Sequence, residues 1–165
     1  MIATIKIFKR YSKITYYTIH FDEKGVTEYN EFLNRISGRP ELMEDLRKLL
    51  RFVVDVGQLW GAVQRHFKTE GKAFRFLEPG YIETEDPDYF GLRLYCLPVN
   101  DKIVILYNGC AKTAQKVQDC ENCSYHFHMA NLITRKILEA LHEDFIRINR
   151  KGDELEIDED FNLIF

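Results

Sequence analysis

The sequence predicts an α+β protein: an antiparallel sheet of about four to five strands packed against an N-terminal two-helix hairpin, with a further C-terminal helix and an acidic tail. Three observations support this class. The first strand-like region alternates side chains with period two. The next region changes to helical spacing, and strand-like runs separated by short turns then fill residues 72–109. At 165 residues we expect one domain, residues 1–150, and a tail at 151–165.

The N-terminal region reads as one or two strands followed by two helices. Residues 3–25 are rich in β-branched and aromatic side chains, and "KRYSK" is a candidate turn within them. A helix is predicted from Val26, and Gly38-Arg39-Pro40 stops it. A second helix is predicted from about Glu41, with Gly57 as its end. The short connection favours an antiparallel helical hairpin.

The second half of the chain predicts the rest of the sheet and a third helix. Strands are expected at 72–77, 89–99 and 102–109, and the last has the continuous apolar run of a central strand. A helix with an apolar stripe is predicted from about Ser124. The tail ends in "GDELEIDEDFNLIF", which is either a last strand or a docking arm.

The charge is distributed unevenly along the chain. Residues 1–118 hold 18 Lys and Arg against 15 Asp and Glu, whereas residues 119–165 hold 5 against 11. One hypothesis is that the acidic tail folds back over basic residues such as Arg93 and Lys112 and places its carboxylates against their charges. The alternative is a solvated terminal strand. The sequence lacks a membrane-spanning apolar run and the pattern of a signal peptide, so a cytoplasmic protein without membrane contact is expected.

The four cysteines allow several interpretations. A cytosolic domain of this size needs no disulfides, so reduced thiols are expected. The run "CENCSYHFH" places Cys120, Cys123, His126 and His128 close together, which is a possible zinc pattern. The spacing is shorter than in common zinc fingers, and two histidines at i and i+2 point apart on a helix. The preferred expectation is therefore no metal and no cofactor, with the thiols packed at a helix start.

Several stretches, taken in order, resemble the RelE/HigB superfamily of bacterial toxins. The resemblance covers about residues 14–137 and depends on element order and scattered basic residues rather than on one motif. The stretches that carry it are "YYTIHFDEKGVTEYNEFL", "ELMEDLRKLLRFVVDVG", "FRFL", "YFGLRLYCLPVNDKIVILYNG" and "GCAKTAQKV". The resemblance implies an mRNA endonuclease that acts on mRNA, usually at the ribosome, and is neutralised by a cognate antitoxin protein. It also places the family's toxin domain at residues 1–150 of this chain.

The resemblance implies three catalytic residues: Arg93, Lys112 and Lys116. Metal-free RNA cleavage needs a group that accepts the 2′-hydroxyl proton, cations that stabilise the phosphate, and a group that protonates the leaving oxygen. Arg93 offers a planar fork suited to phosphate, and the alternative is an ion-paired sheet residue. The two lysines lie in a stretch without any acidic residue, Lys102 to Gln118. The alternative for them is ordinary solubilising lysines.

Four further residues are predicted to contact RNA: Lys68, Lys72, Arg75 and Tyr107. Lys72 and Arg75 would line the same concave face as Arg93 if their strand pairs as in the family, and Lys68 precedes that strand in the sequence. Tyr107 could stack on a base or donate a proton, although a tyrosine in "IVILY" is more often part of the core. His66 is a weaker candidate for proton transfer. The competing function is a catalytically degenerate relative that serves as a binding or regulatory module, and a small zinc-binding protein is a third.

Overall fold

The computed structural model describes residues 1–77, 91–111 and 121–165. It confirms the α+β class, with a seven-stranded mixed sheet, three α-helices and a small second sheet within those residues. The elements are β1 Ile2–Arg10, β2 Thr15–Phe21, α1 Glu28–Ser37, α2 Met43–Asp55, β3 Phe67–Glu70, β4 Ala73–Phe76, β5 Leu92–Asn100, β6 Ile103–Ala111, α3 Glu121–His142, β7 Ile146–Ile148, β8 Leu155–Ile157 and β9 Leu163–Ile164.

The main sheet is mixed rather than antiparallel, which corrects the predicted architecture. Its strand order is β3-β4-β5-β6-β2-β1-β9. Strands β2 and β6 pair in parallel, from Thr15 opposite Ile103 to Thr18 opposite Leu106. The other strand pairs of this sheet are antiparallel. Hydrophobic alternation reports which face of a strand is buried, but it carries no information about strand direction.

Helices α1 and α2 cover one face of the sheet. Thr27 caps α1, because its hydroxyl accepts a hydrogen bond from the backbone N–H of Asn30 at 3.3 Å. Helix α2 ends at Asp55 rather than at Gly57, and a π-helical turn, Val56–Trp60, extends it. Gly57 serves close packing there, since a Cβ atom would lie 2.7 Å from the Tyr11 ring. The apolar residues that pack on this face include Tyr16, Phe32, Ile36, Leu49, Phe52 and Leu94.

Helix α3 covers the opposite face and begins three residues before the predicted Ser124. Its buried residues follow helical spacing, and Thr134 is the buried polar group among them. They pack against the face of the sheet opposite to the one that α1 and α2 cover, where every second side chain of each strand points. The members of this second core include Tyr17, Tyr95, Ile105, Tyr107, Ala130, Ile133 and Ile137.

The acidic tail docks beside β1, so the hypothesis that it covers Arg93 is wrong, and Lys112, the other residue of that hypothesis, lies outside the described residues. Strand β8 pairs with β7, and β9 pairs with Ile2 and Ala3 of β1. Strand β1 lies at the opposite side of the sheet from β5, which carries Arg93. Phe161, Leu163 and Phe165 pack on the α3 side of the core, whereas Ile164 is exposed. The tail is therefore a terminal strand anchored by its apolar side chains.

Candidate functional site

Three of the predicted basic residues meet around one carboxylate on the α3 side of the sheet. Lys68 of β3 lies opposite Arg75 of β4, and Arg75 lies opposite Tyr95 of β5. Arg93 precedes Tyr95 by two residues and so shares its face. We call Lys68, Glu70, Arg75 and Arg93 the arginine–glutamate cluster. No local sequence pattern could show that Glu70 completes it, because strand β3 was not predicted.

Glu70 joins the two arginines. Its Oε1 accepts hydrogen bonds from Arg75 Nε at 2.7 Å and from Arg93 Nη1 at 2.9 Å. The side chains of Arg75, Arg93 and Glu70 are 2%, 8% and 13% exposed, so both ion pairs are largely shielded from water. Such pairs are stable only with good geometry, because charge burial is costly. The cluster is therefore a rigid, preassembled arrangement of guanidinium groups.

The cluster retains features of an anion-binding site. The Nε atom of Arg93 is buried and has no hydrogen-bond partner in the described part of the chain, so one donor of the cluster is unsatisfied. Burial, followed by the nearby Arg75 guanidinium, lowers the pKa of Lys68, whereas Glu70 opposes this change. A phosphate close to these cations would be attracted to them and would stabilise their charged forms.

The arginine–glutamate cluster lies near the end of the sheet at which β6 ends. The segment that follows in the sequence, residues 112–118, holds Lys112 and Lys116 and no acidic residue, and we call it the basic segment. Arg93 pairs with Cys110, one residue before β6 ends at Ala111. Strand β4 also ends, and strand β5 begins, at this end of the sheet. Lys112 and Lys116 follow directly in the sequence but lie outside the described residues, as does the acidic insertion at 78–88. Their predicted roles therefore stay predictions.

Lys72 and Tyr107 do not join the cluster. Lys72 is exposed in the turn between β3 and β4, at the far end of that hairpin, and its backbone N–H donates to Asn131 Oδ1. Tyr107 is 1% exposed beneath α3, and its hydroxyl lies 2.9 Å from Thr134 Oγ1. Burial raises the pKa of Tyr107. A Tyr107–RNA contact does not fit this geometry, and the alternative interpretation as a core tyrosine does.

A second polar group, which the sequence did not reveal, fills the position beyond the end of the parallel β2–β6 ladder, and we refer to this filled position as the crevice. The ladder between the parallel strands β2 and β6 ends at Thr18 and Leu106. Beyond it, the chain leads from β2 to α1 on one face and from β6 to α3 on the other. Ligands of open sheets often bind where neighbouring parallel strands feed helices on opposite faces. Side chains from α1, β6 and α3 fill this position.

The crevice contains a network of ionised groups and amides. Glu28 is buried and accepts from Lys24 Nζ at 2.7 Å and from Asn108 Nδ2 at 3.3 Å. Arg35 donates to Asn108 Oδ1 at 2.7 Å and to the Gly109 carbonyl oxygen at 2.6 Å. The spacing of Glu28 and Arg35 places both on one face of α1. Their tertiary partners are distant in sequence, so periodicity could not have found the network.

His126 brings a neutral imidazole to this crevice from the first turns of α3. Burial, followed by repulsion from Arg35, lowers its pKa to about 4, although Glu31 opposes that change. Its Nδ1 and the Arg35 Nε are both buried and lack hydrogen-bond partners among the described residues. The ring is therefore uncharged near neutral pH.

The cysteines differ from the expectation of reduced thiols. Cys110 at the end of β6 and Cys123 in α3 form a disulfide with a Cα–Cα distance of 5.2 Å. Their pairing brings α3 against the sheet, which sequence spacing alone could not show. Cys120 lies outside the described residues, and no group of three or more metal-ligating side chains occurs in the described ranges. Cys96 is a buried free cysteine, and burial raises the pKa of its thiol.

His66 is held among aromatic rings. It stacks on Trp60 with a centroid distance of 5.4 Å and contacts the Phe52 ring edge-on. Burial, followed by the neighbouring Arg65 charge, lowers its pKa. These contacts favour the structural interpretation of this histidine over proton transfer.

Comparison with known proteins identifies no relative of this chain. The sequence matches no protein-family model, and no curated protein or solved structure is significantly similar to it. Within residues 1–77, 91–111 and 121–165, no helix is both long and apolar enough to cross a membrane. The functional interpretation therefore depends on the sites themselves.

Proposed function

We propose that this chain is a cytoplasmic RNA-cleaving toxin of the RelE/HigB type, which acts on mRNA at the ribosome and is neutralised by an antitoxin protein. The observation that supports this most directly is the convergence of Lys68, Arg75 and Arg93, from three strands, on one face. Each was a candidate phosphate-binding residue in the sequence. Their position near the end of β6 brings them close to the start of the basic segment.

In this proposal the arginines of the cluster stabilise charge, and residues outside the cluster transfer protons. Guanidinium groups keep their charge at all physiological pH values, so Arg75 and Arg93 would stabilise the additional charge on the attacked phosphate and not accept a proton. The proton of the 2′-hydroxyl needs another acceptor. Lys112 and Lys116 remain candidates for this role and for protonating the leaving oxygen.

A second candidate function is a non-cleaving RNA-binding or regulatory module. The observation that favours it is Glu70, whose carboxylate already binds both arginines where a phosphate would bind in the cleavage proposal. RNA would then have to displace Glu70 or bind beside it. This costs binding energy, because the carboxylate and the phosphate compete for the same donors.

The experiment is induced expression of the wild type and of Arg93→Lys in growing bacteria, with RNA ends mapped genome-wide. Arg93→Lys keeps the positive charge beside Glu70 but loses the planar fork. The matched control is Arg47→Lys, on an exposed α2 residue that is also ion-paired with a glutamate. Circular dichroism and urea unfolding verify that each protein is folded.

The cleavage proposal predicts growth arrest and new RNA ends for the wild type and Arg47→Lys, with both effects reduced at least about tenfold for Arg93→Lys. Normal growth and intact RNA for the folded wild type would instead favour the non-cleaving module. Equal cleavage by wild type and Arg93→Lys would remove Arg93 from the reaction.

A further inference from the structure

A cavity lies at the opposite end of the sheet from the arginine–glutamate cluster. Its volume is about 660 Å³, within the range of small-molecule sites. It lies at the beginnings of β2 and β6, between the β1–β2 turn, the end of the π-helical turn, the β5–β6 turn and the turn before β8. We call it the lysine pocket, after Lys13, Lys102 and Lys151.

The walls of the lysine pocket are fixed by hydrogen bonds between distant segments. The Gly57 carbonyl accepts from the N–H groups of Lys13 and Ile14 at 2.8 and 3.1 Å, and Ala62 N–H donates to the Asp101 carbonyl at 2.9 Å. Asn100 Nδ2 donates to the Gly152 carbonyl at 2.9 Å, which holds the turn carrying Lys151. The pocket therefore exists before any ligand binds, which lowers the entropic cost of binding.

The π-helical turn gives the pocket its aromatic wall. Residues Val56–Trp60 widen the end of α2, and the chain then reverses at Gly61 with a φ of +79°. Single π-helical turns are uncommon and frequently lie at functional sites. One consequence is that Trp60 lines the pocket while 42% exposed, with its ring orientation fixed by stacking on His66. A half-exposed, oriented indole is a platform for another flat ring.

The lysines of the pocket are not paired with carboxylates of the described residues, although Lys102 Nζ donates a hydrogen bond to the Lys151 carbonyl oxygen at 3.4 Å. Within the described ranges, none of Lys13, Lys102 and Lys151 has a carboxylate oxygen within 4 Å of its ammonium group, although Asp101 and Asp153 also line the pocket. The Asp153 carboxylate instead accepts a hydrogen bond from Asn149 at 2.8 Å. Three lysines beside an aromatic platform fit a ligand that combines a phosphate with a flat ring.

We propose that the lysine pocket binds a nucleotide, with its base stacked on Trp60 and its phosphate contacting Lys102 and Lys151. This site is separate from the arginine–glutamate cluster and independent of RNA cleavage there. The Trp60 ring and the lysines together require a ligand that has both a flat ring and a phosphate. A nucleoside would lack the ionic contacts, and a sugar phosphate would lack the stacking.

The test uses the intrinsic fluorescence of Trp60, which is the single tryptophan of the chain. The full-length protein is titrated with uridine monophosphate, with uridine and with ribose 5-phosphate. Titration at about pH 8 keeps His66, whose pKa is lowered, in its neutral form. The variant is Lys102→Ala/Lys151→Ala, and the matched control is Lys48→Ala, an exposed lysine of α2. Calorimetric titration of Trp60→Phe measures binding without the fluorophore.

We expect saturable quenching by uridine monophosphate and affinities at least about tenfold lower for uridine and ribose 5-phosphate. The double lysine variant should lose about tenfold in affinity, because two partly exposed ionic contacts are removed, whereas Lys48→Ala should bind like the wild type. Trp60→Phe should bind more weakly. The proposal is overturned if millimolar nucleotide gives no saturable signal, or if the folded double variant binds as tightly as the wild type.

Discussion

Replacement of Glu70 by glutamine should destabilise the protein by about 3 kcal/mol. The side chain keeps its shape but loses the charge that Arg75 and Arg93 share at 2.7 and 2.9 Å. Removal of one partner of a buried ion pair costs about 3–5 kcal/mol. We expect the lower end, because the Glu70 side chain is 13% exposed and water partly screens the remaining charges.

Urea unfolding at 25 °C, followed by circular dichroism, measures this change. With a slope of about 2 kcal/mol per molar urea, the midpoint should fall by about 1.5 M. The matched control is Glu44→Gln, since Glu44 is 67% exposed beside Arg47 and should change stability by less than about 0.5 kcal/mol. Inorganic phosphate should restore more stability to Glu70→Gln than to the wild type, because it binds the released guanidiniums.

The reasoning is refuted if Glu70→Gln and Glu44→Gln shift the midpoint equally. A large loss without phosphate rescue would mean that the cluster stabilises the fold but does not bind anions. Combining Glu70→Gln with Arg93→Met separates the pair from its surroundings, because a buried ion pair predicts a coupling energy of at least about 1 kcal/mol.

Three further outcomes follow from other contacts. Cys110→Ser/Cys123→Ser should lower the free energy of unfolding by about 2–4 kcal/mol, and a reductant should destabilise only the wild type if the disulfide is present. Thr134→Val, which leaves the Tyr107 hydroxyl buried without its partner, should cost about 1–3 kcal/mol in urea unfolding, and a smaller cost would refute that bond. The pKa of His126 should be near 4 when it is measured by NMR. Since this folded-state pKa lies below the unfolded value, the free energy of unfolding should decrease as the pH falls from about 6.5 to about 4. The variant His126→Gln should weaken this pH dependence.

Local patterns in the sequence carried enough information for most elements of the described fold. Helical spacing located α1 and α2, because their buried residues recur along one face. Strand β3 was not predicted, since "FKTE" has one apolar residue and no alternation of apolar and polar side chains. The parallel pairing of β2 with β6 was not predicted either, because the relative direction of two strands depends on tertiary contacts that the alternation of side chains does not encode.

The same division applies to the candidate sites. Arg75 and Arg93 were selected from the sequence because the family resemblance places phosphate-binding arginines on these strands, and a guanidinium group offers a planar fork suited to phosphate. Their partner Glu70 could not be selected, since it comes from an unpredicted strand. The predicted contact of Tyr107 with RNA does not fit the structure, because β6 is buried along its whole length on both faces. The lysine pocket joins four turns from across the chain, so no window of sequence contains it.

The central parallel ladder also determines when this protein is able to fold during synthesis. Thr15 of β2 pairs with Ile103 of β6, and residues 22–102, about half of the chain, lie between the two strands that form the middle of the sheet. A topology rich in such distant pairings folds slowly. Until β6 leaves the ribosome, β2 has only β1 beside it, and its aromatic and aliphatic side chains remain exposed to water and to other nascent chains. Chaperone demand and yield should therefore depend on the rate of translation through residues 22–102.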